Sequence, residues 1–442
     1  MKVPVIELSD AFLILIFSVL IISMSLFYQN YKISFDNRYK WFTTSLITRL
    51  LGGFGFALIY IYYYGGGDTV MYYQGAHKMY QFFFENPLGF FQMLFTPHNR
   101  VPQEFSYLKS EIYYLRSAEE WFLVRIASAL NIFAFNSYWV LTMLFSLLAF
   151  ISSWFIHLLT SSLFKAIPNI EKVSLISFLF VPSVLFWGSG ILKDTMSITF
   201  LMFFFYAFNK MFFDKKWNVF IVILLLFSAM VVYKVKSYVL LTFLLPVAVG
   251  VYVYYKSNIK NLVVKYLALP FVGVFGVFLM IQVLGKLADE TKKYQVEDLN
   301  SRMRGFHSWH THQGGSTYSL GEFDYSTFGI LKKTPAALNV SLFRPYLPEV
   351  RSAVMLISSI ENTFLLIIFI IIFWHFKSQL FSITFNNYFL TICFVYFILL
   401  GIVTGITSYN FGALARYRIP YLPFFVFWLL YFYNQKKQQL IK

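Results

Sequence analysis

Asp68 is the carboxylate whose surroundings most invite chemistry. It stands in Tyr62-Tyr63-Tyr64-Gly65-Gly66-Gly67-Asp68-Thr69-Val70-Met71-Tyr72-Tyr73, just past a long apolar run. Three glycines let the backbone turn sharply and approach a ligand closely. A carboxylate at such a turn, among aromatic rings, can take a proton from an acceptor hydroxyl or ligate a metal. It can equally cap the helix that opens there. Tyr72, one helical turn beyond, joins the candidate substrate-binding set. A second acid, Asp194, follows Gly188-Ser189-Gly190-Ile191-Leu192-Lys193 in a parallel setting. It either assists Asp68, the two together offering ligands for a divalent cation such as Mg or Mn, or caps the helix from Thr195 and pairs with Lys193.

The cations fall in similar places. Lys193, Lys234, Lys236, Arg344, Arg416 and Arg418 flank apolar runs, where ionisable groups are costly unless paired or functional. Lys and Arg neutralise phosphate, Arg by a bidentate fork. The competing readings are lysines snorkelling from helix ends and arginines anchoring at the interface. His307, His310 and His312 have the spacing His-x2-His-x-His and read as surface histidines. Glu361 lies inside an apolar run and needs a partner or a role.

The elements that must position these residues are membrane helices. Of 442 residues, 58% are hydrophobic, 22% aromatic and 13% charged. Many runs reach the roughly 20 apolar residues that cross a bilayer. The sequence therefore predicts an all-α polytopic integral membrane protein with about 11–13 membrane helices, and not a β-barrel, which would show short alternating segments. The net charge of +16 fits cytoplasmic loops and attraction to anionic lipid or phosphate, with no nucleic-acid partner. Cys393 is the only cysteine, which excludes a disulfide framework and a cysteine metal site. The first apolar run lacks a small-residue cleavage site and reads as a retained helix.

Positive charge orients the chain. Lys32, Arg38 and Lys40 after the run 10–27 read as cytoplasmic, so the run 42–63 leads outward to Asp68. Residues 64–120 form a first extracytoplasmic loop of amphipathic helices. The stretch 121–135 carries Arg125 and does not cross by itself. The runs 138–160, 173–190, 195–212, 217–233, 238–255 and 266–285 then alternate, and residues 286–350 make a second large outer loop. Runs at 353–375, 387–408 and 414–434 lead to a cytoplasmic Lys436-Lys437 tail. The whole of 1–442 reads as a single transmembrane domain. This topology gathers Asp68, Asp194 and the flanking cations at the extracytoplasmic face. No Gly-x-x-x-x-Gly-Lys-Ser/Thr, Gly-x-Gly-x-x-Gly, His-Glu-x-x-His or Gly-x-Ser-x-Gly motif is present, so an activated substrate or a gradient must supply any driving force.

In layout and short motifs the chain resembles the GT-C superfamily of membrane glycosyltransferases, which use polyprenyl-phosphate-linked sugars. Gly67-Asp68-Thr69-Val70-Met71-Tyr72 is similar to the acidic motif of that family's first outer loop. It carries Asp-Thr where the family usually has Asp-Glu or Asp-x-Asp. Pro182 through Asp194 is similar to a second acidic loop leading a helix, and Arg416-Tyr417-Arg418-Ile419-Pro420 to a late Arg-Tyr before a proline-containing helix. Leu342-Phe343-Arg344-Pro345-Tyr346 with Glu349 looks like a feature of bacterial envelope membrane proteins. The resemblance implies sugar transfer from a polyprenyl-phosphate donor to a glycan, lipid or protein acceptor at the outer face of a bacterial inner membrane. Asp68 would be the base, Asp194 its assistant, and the cations would hold the lipid phosphate. An O-antigen or exopolysaccharide polymerase would need the same chemistry. A transporter or flippase would need none.

Overall fold

The computed structural model describes residues 3–256, 316–321 and 327–439. The apolar run 266–285 and the three loop histidines lie outside the described residues. The protein is an all-α polytopic membrane protein. Among the described residues, seven helices are long and apolar enough to cross a membrane: Leu8–Ile33, Asn37–Tyr63, Tyr138–Leu163, Lys193–Phe212, Val219–Tyr255, Ala353–Phe376 and Tyr388–Thr407. Internal contacts divide the chain into two compact units, Met1–Ser237 and Tyr238–Lys442.

In the first unit, α1 (Leu8–Ile33) precedes α2 (Phe42–Leu58), which ends in a π-helical turn (Ile59–Tyr63). Then come α3 (Asp68–Glu85), α4 (Pro87–Phe95), the short α5 (Leu108–Glu111), a 3-10 turn (Tyr113–Arg116) and α6 (Ala118–Phe133). The sequence predicts amphipathic helices after Asp68, and α3 buries Thr69, Tyr72, Ala76 and Met79 at helical spacing against α6. Helix α6 has 16 residues, about 24 Å at 1.5 Å per residue, short of a bilayer core. Helix α7 (Tyr138–Leu163) is the centre of this unit and packs against α2, α8 (Ile170–Leu179) and α10 (Lys193–Phe212).

The run expected at 173–190 is not one rod. It is α8 and the six-residue α9 (Pro182–Trp187). Pro182 has no N–H to continue the ladder and its ring disfavours a helical residue before it, so the first helix stops and the second starts with proline at its head. Helix α11 (Val219–Tyr255) is interrupted at Lys236, whose φ of −152° and ψ of 78° leave the helical region.

In the second unit follow α12 (Thr327–Phe343), α13 (Ala353–Phe376), α14 (Gln379–Asn386), α15 (Tyr388–Thr407), α16 (Phe411–Tyr417) and α17 (Leu422–Gln439). The run expected at 414–434 is broken between α16 and α17, where Pro420 stands, and Pro423 falls in the first turn of α17. Helices α12 and α15 meet along Gly401-x-x-x-Gly405: a Cβ at Gly405 would collide with the carbonyl of Ala337. Small residues at that spacing let two helix backbones approach closely. Tyr318, Val340, Ile406, Phe411 and Leu414 fill the core beside this contact.

Candidate functional site

The turn before Asp68 is built by the backbone. The π turn closes with the Tyr64 N–H on the Ile59 carbonyl at 3.0 Å, and the Gly66 N–H reaches the Tyr60 carbonyl at 2.8 Å. Gly65, Gly66 and Gly67 have φ of +67°, +134° and +118°, a region that side chains with a Cβ rarely adopt. Gly67 takes the N-cap position, so Asp68 is the first residue of α3. There the helix dipole favours a carboxylate. Asp68 is half-buried. The Tyr114 hydroxyl donates to its Oδ1 at 3.3 Å. Tyr72 is buried and its ring centroid lies 4.6 Å from that of Tyr114. It therefore buttresses the hydroxyl that touches Asp68.

Tyr114 belongs to the 3-10 turn that feeds α6, and the head of α6 carries the next cluster. Lys193 Nζ donates to Glu119 Oε2 at 3.0 Å and to Glu120 Oε1 at 2.7 Å. The Ser117 hydroxyl donates to Glu120 as well. Burial pushes the Glu120 carboxyl up, but the Lys193 charge and these hydrogen bonds outweigh it and hold Glu120 below its ordinary value. Residues 114–120 thus tie the Asp68 turn to the head of α10. The sequence singled out Lys193 without its partners.

Asp194 is in a different state. Its side chain is 0% exposed and accepts from Lys236 Nζ, itself 7% exposed. Lys236 is the residue at which α11 leaves helical geometry. So Asp194 pairs across 42 residues with Lys236 and not with its neighbour Lys193. Removing two charges from water is expensive, and only a close, hydrogen-bonded partner offsets it. Lys234, two residues earlier, is exposed.

Arg49 was not among the sequence candidates. It is 1% exposed and donates from Nη2 to the Gly188 carbonyl at 2.6 Å, capping the last turn of α9. Its Nε and Nη1 have no hydrogen-bond partner among the described residues. The signal was present in the sequence: a single arginine in the middle of the apolar run 42–63.

The remaining candidates lie in the second unit. Arg344 Nε donates to both oxygens of Glu349 at 3.0 Å. Its guanidinium carbon lies 5.6 Å from the Tyr318 ring and 5.2 Å from the Phe411 ring. Burial raises the Glu349 carboxyl, yet Arg344 and the Tyr346 N–H hold it below its ordinary value. A cavity of about 190 Å³ opens there, lined by Ser316, Thr317, Pro348, Glu349, Arg351 and Phe411. Arg418 is buried and its Nη2 lies 3.4 Å from Glu361 Oε1. That answers the cost of Glu361 inside an apolar helix. Arg416 is half-buried.

The described donors by themselves do not make a divalent-cation site at Asp68 and Asp194. One Asp194 oxygen is taken by the Lys236 ammonium, and no group of three or more His, Cys, Asp or Glu gathers at metal-binding spacing among the described residues. The donor set of the first unit suits proton transfer at Asp68, with charge held in place by the Lys193 and Lys236 pairs. Compared with family models, curated proteins and solved structures, the chain finds no match.

Proposed function

We propose that this protein is an inverting membrane glycosyltransferase that uses a polyprenyl-phosphate-linked sugar, a member of the GT-C type acting at the extracytoplasmic face of a bacterial inner membrane. The observation that carries the reading is the Asp68 turn. A half-buried carboxylate is presented at a helix head by three left-handed glycines, with a tyrosine hydroxyl on one oxygen. In the reaction, Asp68 takes the proton of the acceptor hydroxyl as that oxygen attacks the anomeric carbon. The bond from that carbon to the phosphate oxygen breaks, and its electron pair leaves with the polyprenyl phosphate. The exposed Lys234 is the cation of this unit that the reading assigns to the leaving phosphate, while Lys193 stays committed to Glu119 and Glu120.

The test compares cell-envelope glycans and lipid-linked intermediates in a deletion strain carrying wild type or Asp68→Asn at equal protein level. Loss of a sugar, with accumulation of the unmodified acceptor, supports transfer and identifies the acceptor. A missing ladder of repeats would point to polymerisation by the same chemistry. Identical profiles would overturn the assignment.

Three observations favour a second reading, a transporter without chemistry. The α8–α9 break, the α11 break at Lys236 and the buried Asp194–Lys236 pair are the interrupted helices and membrane charges that such proteins use. Under it, Asp68→Asn leaves every glycan unchanged, whereas Asp194→Asn abolishes flux in vesicles.

A further inference from the structure

Between α4 and α6 a hollow of about 520 Å³ opens among His98, Ser106, Lys109, Ser110, Leu115 and Arg116. Among the described residues its lining combines a lysine, an arginine, an imidazole and two hydroxyls, with no carboxylate. Of the acids near it along the chain, Glu111 lies 3.5 Å from Lys78, Glu119 and Glu120 hold Lys193, and Glu104 is exposed outside the lining. Among the described residues no carboxylate is within ion-pair distance of Lys109 or Arg116. The Arg116 guanidinium lies 5.4 Å from the Tyr113 ring. Lysine, arginine and hydroxyl donors without a competing carboxylate are the partners of phosphate oxygens.

The chain leading into this hollow is apolar and exposed. Leu88, Phe91 and Phe95 repeat along α4 at helical spacing, with Phe84 at the end of α3 beside them, and all four are exposed. Phe90 and Met93, on the other side of α4, are buried. The corner after the stripe is pinned to α6: Trp121 Nε1 donates to the Thr96 carbonyl at 2.9 Å, and Arg125 Nη1 to the Leu94 carbonyl at 3.1 Å. His98 follows three residues after Phe95. In a membrane protein, an exposed apolar helix face of this kind sinks to the headgroup–acyl boundary, and the residues just beyond it sit at headgroup level.

We propose that the hollow is a headgroup site for an anionic, phosphate-bearing membrane lipid, with the Leu88–Phe91–Phe95 face among the lipid chains. The site goes beyond sugar transfer and stands whether or not Asp68 is a base.

The test is native mass spectrometry of the full-length protein in detergent. The probes are short-chain phosphatidic acid, phosphatidylcholine of the same chain length, and pyrophosphate alone. Wild type should hold phosphatidic acid at least tenfold more tightly than phosphatidylcholine. Lys109→Gln with Arg116→Gln should weaken phosphatidic acid by about twenty-five-fold, roughly fivefold per cation, while Lys109→Arg with Arg116→Lys should retain it. Phe91→Ser with Phe95→Ser should weaken lipid binding and leave pyrophosphate binding unchanged. Equal retention of the two lipids by wild type would overturn the proposal. So would an unchanged affinity in the folded double-glutamine variant. Pyrophosphate binding as tight as phosphatidic acid would overturn the lipid source and assign the hollow to free phosphate.

Discussion

Asp68 and Asp194 look alike in sequence and differ in the fold. Each follows a glycine-containing turn and opens a helix. Asp68 is half-buried, and one of its oxygens accepts from the Tyr114 hydroxyl at 3.3 Å. Asp194 is fully buried against an ammonium at a helix break. A hydroxyl donor steadies a carboxylate without neutralising it. An ammonium in a buried pair fixes the negative charge and commits it to holding two helices. The same residue type at the same kind of position therefore serves two purposes, and the neighbour decides which.

The largest expected effect separates these purposes directly. Asp68→Asn should lower transfer by about 10²- to 10⁴-fold, the range for losing a general base, with the thermal midpoint in detergent unchanged. A parallel fall in that midpoint would make Asp68 structural, like Asp194. Next comes Lys236→Met, which takes the Lys236 ammonium away from the buried Asp194 carboxylate. It should destabilise by about 3–5 kcal/mol, read as a collapse of the monodisperse peak on heating. Asp194→Asn combined with Lys236→Met should restore most of the loss; failure to do so would mean the pair is more than mutual neutralisation.

A smaller effect is expected at Tyr114→Phe, which removes the hydroxyl from Asp68 and leaves the ring against Tyr72. Transfer should fall about fivefold, in line with roughly 1 kcal/mol for one hydrogen bond. The smallest effect concerns pH. The Glu120 value is depressed in the folded protein below its ordinary 4.5. Its stabilisation is therefore complete above the unfolded value and is lost as pH falls from about 5 through the folded value. Glu120→Gln should flatten that acid limb of the stability curve, and an unchanged limb would show that Glu119 alone holds Lys193.

The membrane character of the chain was legible in its apolar runs, and so were the helices at Leu8–Ile33, Tyr138–Leu163 and Ala353–Phe376. The breaks were harder to place. Pro182 and Pro420 stand in the sequence, but each lies inside an apolar stretch that hydropathy joins into one span. Lys193 and Lys236 were visible as cations without their counter-charges, because the glutamates and the aspartate that hold them come from other helices. Arg49 was visible as an odd residue in an apolar run, but its role as a cap on α9 depends on α2 and α9 meeting.

By itself the sequence determined the all-helical membrane class, because a chain that is 58% hydrophobic with roughly 20-residue apolar runs must satisfy its backbone within helices in lipid. It also determined the glycine turn at Asp68, because three consecutive glycines remove the Cβ penalty that holds other residues out of left-handed geometry. Only the tertiary structure decided that Asp194 is neutralised by Lys236, that Lys193 bridges to Glu119 and Glu120, and that Tyr114 reaches Asp68. Each of those contacts joins residues at least 42 positions apart, and an ion pair or hydrogen bond acts over a few ångströms of space whatever the separation along the chain.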